Sequence, residues 1–179
     1  MAPYVGFRVA PPAVSMRQWA FLAARFRRAV RKQPEIAMLR RRLRAIGGEM
    51  LVPAPDDVDE DISELLDKAE VMAGRVIVRQ MEASGCHQNV ARLWLDRLEG
   101  LTASCTGYAL SDDALWRQHS WGYSPEGIIE TTTPRLLYWG VSYRGANADA
   151  VAKRALGTPT YWAVRLSRWR PFRQRSGNP

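Results

Sequence analysis

MEASGCHQNVARLWLDRLEGLTASCTGYALSDDALWRQHSWGYSPEGIIETTT, residues 81–133, changes its hydrophobic period part-way along, and that change decides the fold class. Val90, Leu93, Trp94 and Leu98 recur at helical spacing, so a helix is expected to begin near Cys86, with Gly100 placed to stop it. The period then falls to two. Residues 101–110, 115–123, 127–132 and, just beyond the quoted stretch, 137–143 read as strands. Ser111-Asp112-Asp113, Ser124-Pro125-Glu126-Gly127 and Thr133-Pro134 supply the turn chemistry between them. Four consecutive strands joined by short turns predict an antiparallel meander.

Upstream, Trp19, Leu22, Ala23, Phe26 and Val30 lie on one face of a helix that Ser15 is placed to cap, and arginines fill the other face. Pro34 suits a first helical position, and Ile36, Leu39, Leu43 and Ile46 continue a second helix that Gly47-Gly48 ends. Residues 50–52 read as a short strand. The acidic run that follows favours a helix N-terminus, with Ile62, Leu65, Leu66, Ala69 and Met72 on its buried face and Gly74 closing it. The same carboxylates are also a conceivable cation site, but without a Gly-punctuated loop a capped surface helix is the better expectation. Residues 76–78 suit a strand and 147–155 a short helix, whereas 160–169 fits either a last strand or an irregular Trp-rich cover.

The expected fold is therefore α+β, with helices mostly N-terminal and an antiparallel sheet, in one domain over 1–179. Within it, 1–80 is mainly helical, 81–145 holds the Cys86 helix and the strands, and 170–179 is a loose basic tail. Hydrophobic residues make up 46% of the chain and charged residues 25%, ordinary usage for a globular protein able to bury a core without staples. The N-terminal stretch is broken by prolines, and no apolar run is long enough to span a bilayer, so a cytoplasmic protein without membrane contact is expected. Two cysteines and two histidines make a disulfide framework or a four-ligand zinc site a poor fit, and no metal is expected.

A formal net charge of +8 is concentrated in Arg25, Arg27, Arg28, Arg31, Lys32, Arg40, Arg41, Arg42 and Arg44, and again in the tail. Contact with a polyanion such as nucleic acid is one reading of these segments, and a solvated charged face is the other.

A thiol is a nucleophile as its thiolate, and a helix N-terminus favours that ion. Cys86 is expected at such a position, preceded by the small residues Ala83, Ser84 and Gly85. In the strand WRQHSWGY, alternation puts Arg117, His119, Trp121 and Tyr123 on one face, and Glu130 lies in the next strand across a turn. A carboxylate beside an imidazole fixes its tautomer and stabilises the imidazolium formed when it takes the thiol proton. Cys86, His119 and Glu130 are thus the candidate nucleophile, base and orienter. Asn89 falls one turn beyond Cys86 on the same helix face, placed to touch substrate, while His87 points elsewhere. Taken singly, Cys86 and His119 would each pass for core residues. Cys105 reads as sheet packing, and Trp94, Trp116, Trp121 and Trp139 as core or pocket walls.

Gly85-Cys86, Gly107-Tyr108, His119-Ser120-Trp121 and Glu130-Thr131-Thr132, in that order, resemble the core motifs of the transglutaminase-like superfamily of papain-related cysteine enzymes. The resemblance covers about residues 81–133. Glu130 stands where that family usually has Asp, and Ser120 where it usually has Ala. The resemblance implies a papain-like core and acyl transfer without a cofactor, on an amide, ester or thioester donor such as a peptide, with water or an amine as acceptor. It also implies an oxyanion donor from the segment before the nucleophile, for which Gln80 is the candidate, and substrate contacts from Tyr108 and Trp121 beside Asn89. The rivals are a polyanion-binding or scaffold protein on the same fold and a redox-sensing cysteine protein.

Overall fold

The computed structural model describes residues 14–54 and 59–157. Helix α1 (Met16–Lys32) starts where expected, with Ser15 and Gln18 forming a reciprocal capping box, and α2 (Glu35–Ile46) follows directly after Pro34. Next come β1 (Met50–Leu51), α3 (Ile62–Lys68), β2 (Glu70–Met72) and β3 (Val76–Val78). Helix α4 (Cys86–Leu95) precedes β4 (Ala103–Leu110), β5 (Leu115–Ser124), β6 (Gly127–Glu130) and β7 (Leu137–Tyr143), and α5 (Gly145–Gly157) ends the described chain. This is the expected α+β arrangement of N-terminal helices and a mostly antiparallel, curled sheet. No helix of the described residues is long and apolar enough to cross a membrane. The segments 160–169 and 170–179 lie outside the described residues.

Three expectations need correction. The acidic helix stops at Lys68, because Ala69 turns to extended backbone, and Glu70, Val71 and Met72 pair antiparallel with Gly140, Trp139 and Tyr138 instead. Met72 is thus a buried strand residue, and Gly74 follows β2. Helix α4 ends at Leu95 rather than at Gly100, in a turn where Arg97, Glu99 and Gly100 all take positive φ. Finally, the strands are not a four-strand meander. The order is β2-β7-β4-β5-β6-β3, so β7 returns past β6 to the far edge of β4. The edge that β6 would have offered it is taken by β3, which runs parallel to β6.

Strand β4 is buried along its whole length between β5 and β7. Its Gly107 is required by close approach, because a Cβ there would land on the Trp139 carbonyl oxygen and 2.5 Å from the Cα of Gly140. One core cluster joins the helices to the sheet through Leu39, Leu43, Trp94, Tyr108, Trp116 and Trp139. A second consists of strand residues, chiefly Cys105, Ala109, Trp121, Ile128 and Tyr138, and the curled sheet closes it.

The pairing of β5 positions the site. Along one edge, β4 accompanies it from Trp116 to Tyr123. The other edge is shared: β1 pairs with Leu115 and Trp116, and β6 pairs with Gly122, Tyr123 and Ser124. Between them, 117–121 has no strand partner on that edge among the described residues. His119 is the middle residue of the gap.

Candidate active site

Cys86 is the first residue of α4, with Gly85 as its N-cap. The approach is a tight turn in which the Gly85 amide donates to the Glu82 carbonyl at 3.2 Å and Ser84 holds φ +62°. Asn89 braces this turn from the helix, its Nδ2 donating to the same carbonyl at 2.8 Å. Asn89 is fully buried, and its Oδ1 has no partner among the described residues. The structure therefore places Asn89 behind Cys86, where its amide serves the backbone turn, and not at the surface.

His119 and Glu130 meet as a buried pair, with Nε2 of the ring 2.8 Å from Oε2 of the carboxylate. Glu130 is 0% exposed, and every partner it has is a donor. Tyr138 Oη donates to Oε2 at 2.9 Å, and the Thr132 amide and hydroxyl donate to Oε1 at 2.8 and 2.9 Å. Burial opposes the charge, but the hydrogen bond and charge of His119 together with the Thr132 donors win, and Glu130 lies below the ordinary carboxylate range. With Nε2 committed to Glu130, Nδ1 is the ring nitrogen left for the thiol.

The Cys86 thiol interacts with two imidazoles, those of His119 and His87. Burial works against the thiolate, yet the charge of His87 and the hydrogen bonds from His119 and His87 outweigh it, holding the thiol well below its ordinary value of 9.0. His119 in turn rises to about 9 against its own burial, through hydrogen bonds to Cys86 and Glu130. Cys105 shows what burial does without such partners, because its thiol is pushed up to about 11. The two cysteines are both free and both buried, and their environments ionise them in opposite directions.

The reading of the sequence that sent His87 elsewhere is corrected here. Its ring faces the sulfur side, with Nδ1 2.7 Å from Ser120 Oγ. A helix wheel gives the direction of the Cα–Cβ bond, but at the first turn the ring can swing over the helix end toward its neighbour. Another partner of the site escapes a motif reading. Tyr138 completes the hold on Glu130 beside Thr132 of the Glu130-Thr131-Thr132 motif, and its signal lies only in the apposition of β6 and β7 ends.

The remaining predicted residues fall in different places. Trp121 is fully buried and stacks on His119, with ring centroids 6.2 Å apart and planes 20° apart. It walls the imidazole from within, and its Nε1 has no partner among the described residues. Tyr108 lies in the core on the helix-covered face, where its hydroxyl donates to Asp59 Oδ2 at 2.5 Å. Gln80 is exposed, between Arg79 and Met81, whose amides donate to the carbonyls of Glu130 and Thr131. It therefore runs beside Glu130, at the surface. Among the described residues no group of three or more His, Cys, Asp and Glu side chains is arranged to hold a metal ion.

Comparison of the chain with known proteins finds no matching family model, no matching curated protein and no matching solved structure.

Proposed function

We propose that this chain is a cysteine acyltransferase or hydrolase of the transglutaminase-like kind, working through Cys86, His119 and Glu130. The observation that carries the reading is the buried His119–Glu130 pair, set in the gap on the β5 edge beside a thiol that begins a helix. The Cys86 thiolate attacks an amide, ester or thioester carbonyl, and His119 Nδ1 returns a proton to the departing group. Glu130, acceptor to four donors, holds the ring in the tautomer that keeps Nδ1 for the sulfur. The acyl-enzyme then passes to water or to an amine, with neutral His119 as the base.

The Cys86 amide, in the first turn of α4, would serve as one oxyanion donor, and Gln80 remains the candidate for a second. Residues 82–84 are exposed, so substrate would approach from the side of the Glu82–Gly85 turn. Two free cysteines suit a reducing, cytoplasmic setting.

The test is an activated acyl ester offered to the full chain, followed by intact-mass and peptide mass spectrometry. An acyl adduct on Cys86, absent from Cys86→Ala and retained by Cys105→Ala, is the expected result. Equal modification of Cys86 and Cys105 in the native protein would sink the triad.

A second reading keeps the fold and sets the chemistry aside. Helices α1 and α2 carry ten Lys or Arg against a single carboxylate, Glu35, and Arg41, Arg42 and Arg44 are exposed. Such a face suits a polyanion, and a steep loss of DNA affinity with added salt is its signature.

A further inference from the structure

We propose that His87 is a second catalytic imidazole, accepting the Cys86 proton alongside His119 and serving as a standing counter-ion for the thiolate. The proposal rests on the acyl-transfer reading of the site and adds a residue to it. Its geometry begins at Ser120, whose hydroxyl donates to Thr106 Oγ1 at 3.1 Å. That hydroxyl has one proton, so toward His87 Nδ1, 2.7 Å away, Ser120 Oγ is an acceptor. A His87 ring that donates from Nδ1 to this acceptor leaves Nε2 as the atom toward the sulfur. The wiring is the mirror of His119, where Nε2 is committed to Glu130 and Nδ1 is left.

The groups facing His87 come from three elements. Cys86 precedes it on α4, His119 lies on β5, and Asp61 and Asp59 stand in the segment before α3. The thiolate and Asp61 favour its charge, while burial and the charge of His119 oppose it. Asp59 is fixed close by, through Tyr108 Oη and through Gln33, which bonds both its amide and its carbonyl. Glu130 faces His119 alone, so the two rings answer to different carboxylates.

The proton step balances within the pair: the S–H bond of Cys86 breaks, an N–H bond forms at His87 Nε2, and no other reactant enters. Its consequence falls on both halves of the reaction. In acylation, His119 remains free to hold the proton destined for the departing group. In deacylation, the sulfur leaves as an anion beside a cation already in place, which makes it a better leaving group. The Ser120 position, where the resembling family usually has alanine, is what anchors this second ring.

The experiment is the pH dependence of Cys86 carboxamidomethylation by iodoacetamide in the full-length protein, read by peptide mass spectrometry with Cys105 as internal control. His87→Asn keeps a donor for Ser120 and removes the nitrogen that faces sulfur. The expected result is a profile moved to higher pH by about one unit, roughly tenfold less labelling on its acid side. His119→Ala should keep part of the depression, and the double variant should lose it. A His87→Asn profile superimposed on that of the native protein, with His119→Ala alone restoring an ordinary thiol, overturns the proposal and leaves the triad standing. A native Cys86 that labels only as an ordinary thiol overturns both.

Should His87→Asn fail to fold, the native protein gives the answer by NMR, because the chain has two histidines and so two imidazoles to follow. Capping Cys86 with iodoacetamide should lower the titration of both rings. A His87 titration unmoved by capping overturns the proposal.

Discussion

Replacing Glu130 by Gln separates the charge of this side chain from its shape. The native carboxylate accepts from His119 Nε2, Tyr138 Oη, and the Thr132 amide and hydroxyl. The Thr132 amide cannot reverse its polarity, so the amide oxygen of Gln must stay there. Its NH2 then faces Oη of Tyr138 and Nε2 of His119. A ring that accepts at Nε2 must carry its proton on Nδ1, and that nitrogen can no longer take one from Cys86. The corresponding change in a Ser-His-Asp triad costs about 10⁴ in kcat through the same tautomer error. The same order is expected here for acyl transfer from an activated ester. Stability should fall less. The two Thr132 bonds change from a charged to a neutral acceptor, a loss of about 1 kcal/mol each, so about 2 kcal/mol in thermal or urea unfolding. Steady-state turnover beside an unfolding curve separates the two effects. A variant that keeps turnover within about tenfold of native would refute Glu130 as the residue that sets the His119 tautomer.

Gly107→Ala should destabilise by about 3 kcal/mol in urea titration, the upper end for overpacking, because its Cβ meets the backbone of Trp139 and Gly140 and no side chain can yield to it. An unchanged midpoint would show that β4 and β7 are not packed this closely. Stability should also vary with pH in a defined sense. His119 and His87 have raised values, so each contributes stability that is present below about 6.5 and lost as pH rises through its folded value. Cys86 is depressed, so its contribution is present above about 9 and lost as pH falls through its folded value. Between those limits, and above the folded value of Cys86, folding takes a proton from Cys86 and gives one to His119, and these cancel. His87 has no such counterpart. The native unfolding free energy should therefore decline as pH rises from about 6.5, with a slope no steeper than about 1.4 kcal/mol per pH unit in urea titrations, and His87→Asn should flatten it. An identical slope in both proteins would contradict the protonation of His87.

The element types were legible because local chemistry and tertiary demand agree over most of the chain. Ser15 caps α1, Gly85-Cys86 opens α4, and the four predicted strands lie within a residue or two of those observed. Strand order was not legible. Alternation states which face of β7 is buried, and turn length states that it lies near β6. Neither says that β3 has already taken the β6 edge through parallel pairing. The end of the acidic helix failed for a related reason. Leu65, Ala69 and Met72 keep helical spacing, yet the free edge of β7 takes up Glu70, Val71 and Met72 as a strand.

At the site, the residues whose placement follows from order along one strand or helix were legible, and those whose placement depends on apposition were not. Cys86 begins a helix, and His119 and Glu130 sit on neighbouring strands, so their meeting follows from one turn. Asn89 looked available to substrate because it shares a helix face with Cys86, but that face turns inward, and its amide is spent on the Glu82 carbonyl. Tyr108 looked like a pocket residue for want of knowing that Asp59, 49 residues earlier, waits for its hydroxyl. His87 inverts the pattern. Adjacent to Cys86, it was set aside because neighbours on a helix diverge. What brings it back is Ser120 on β5, a hydroxyl in a place where a methyl would leave the ring without an anchor. The Ser120 hydroxyl and the histidine that the helix wheel dismissed are thus two halves of one contact. Ser120→Ala should consequently carry part of the His87→Asn effect on Cys86 while leaving the His119–Glu130 bond in place.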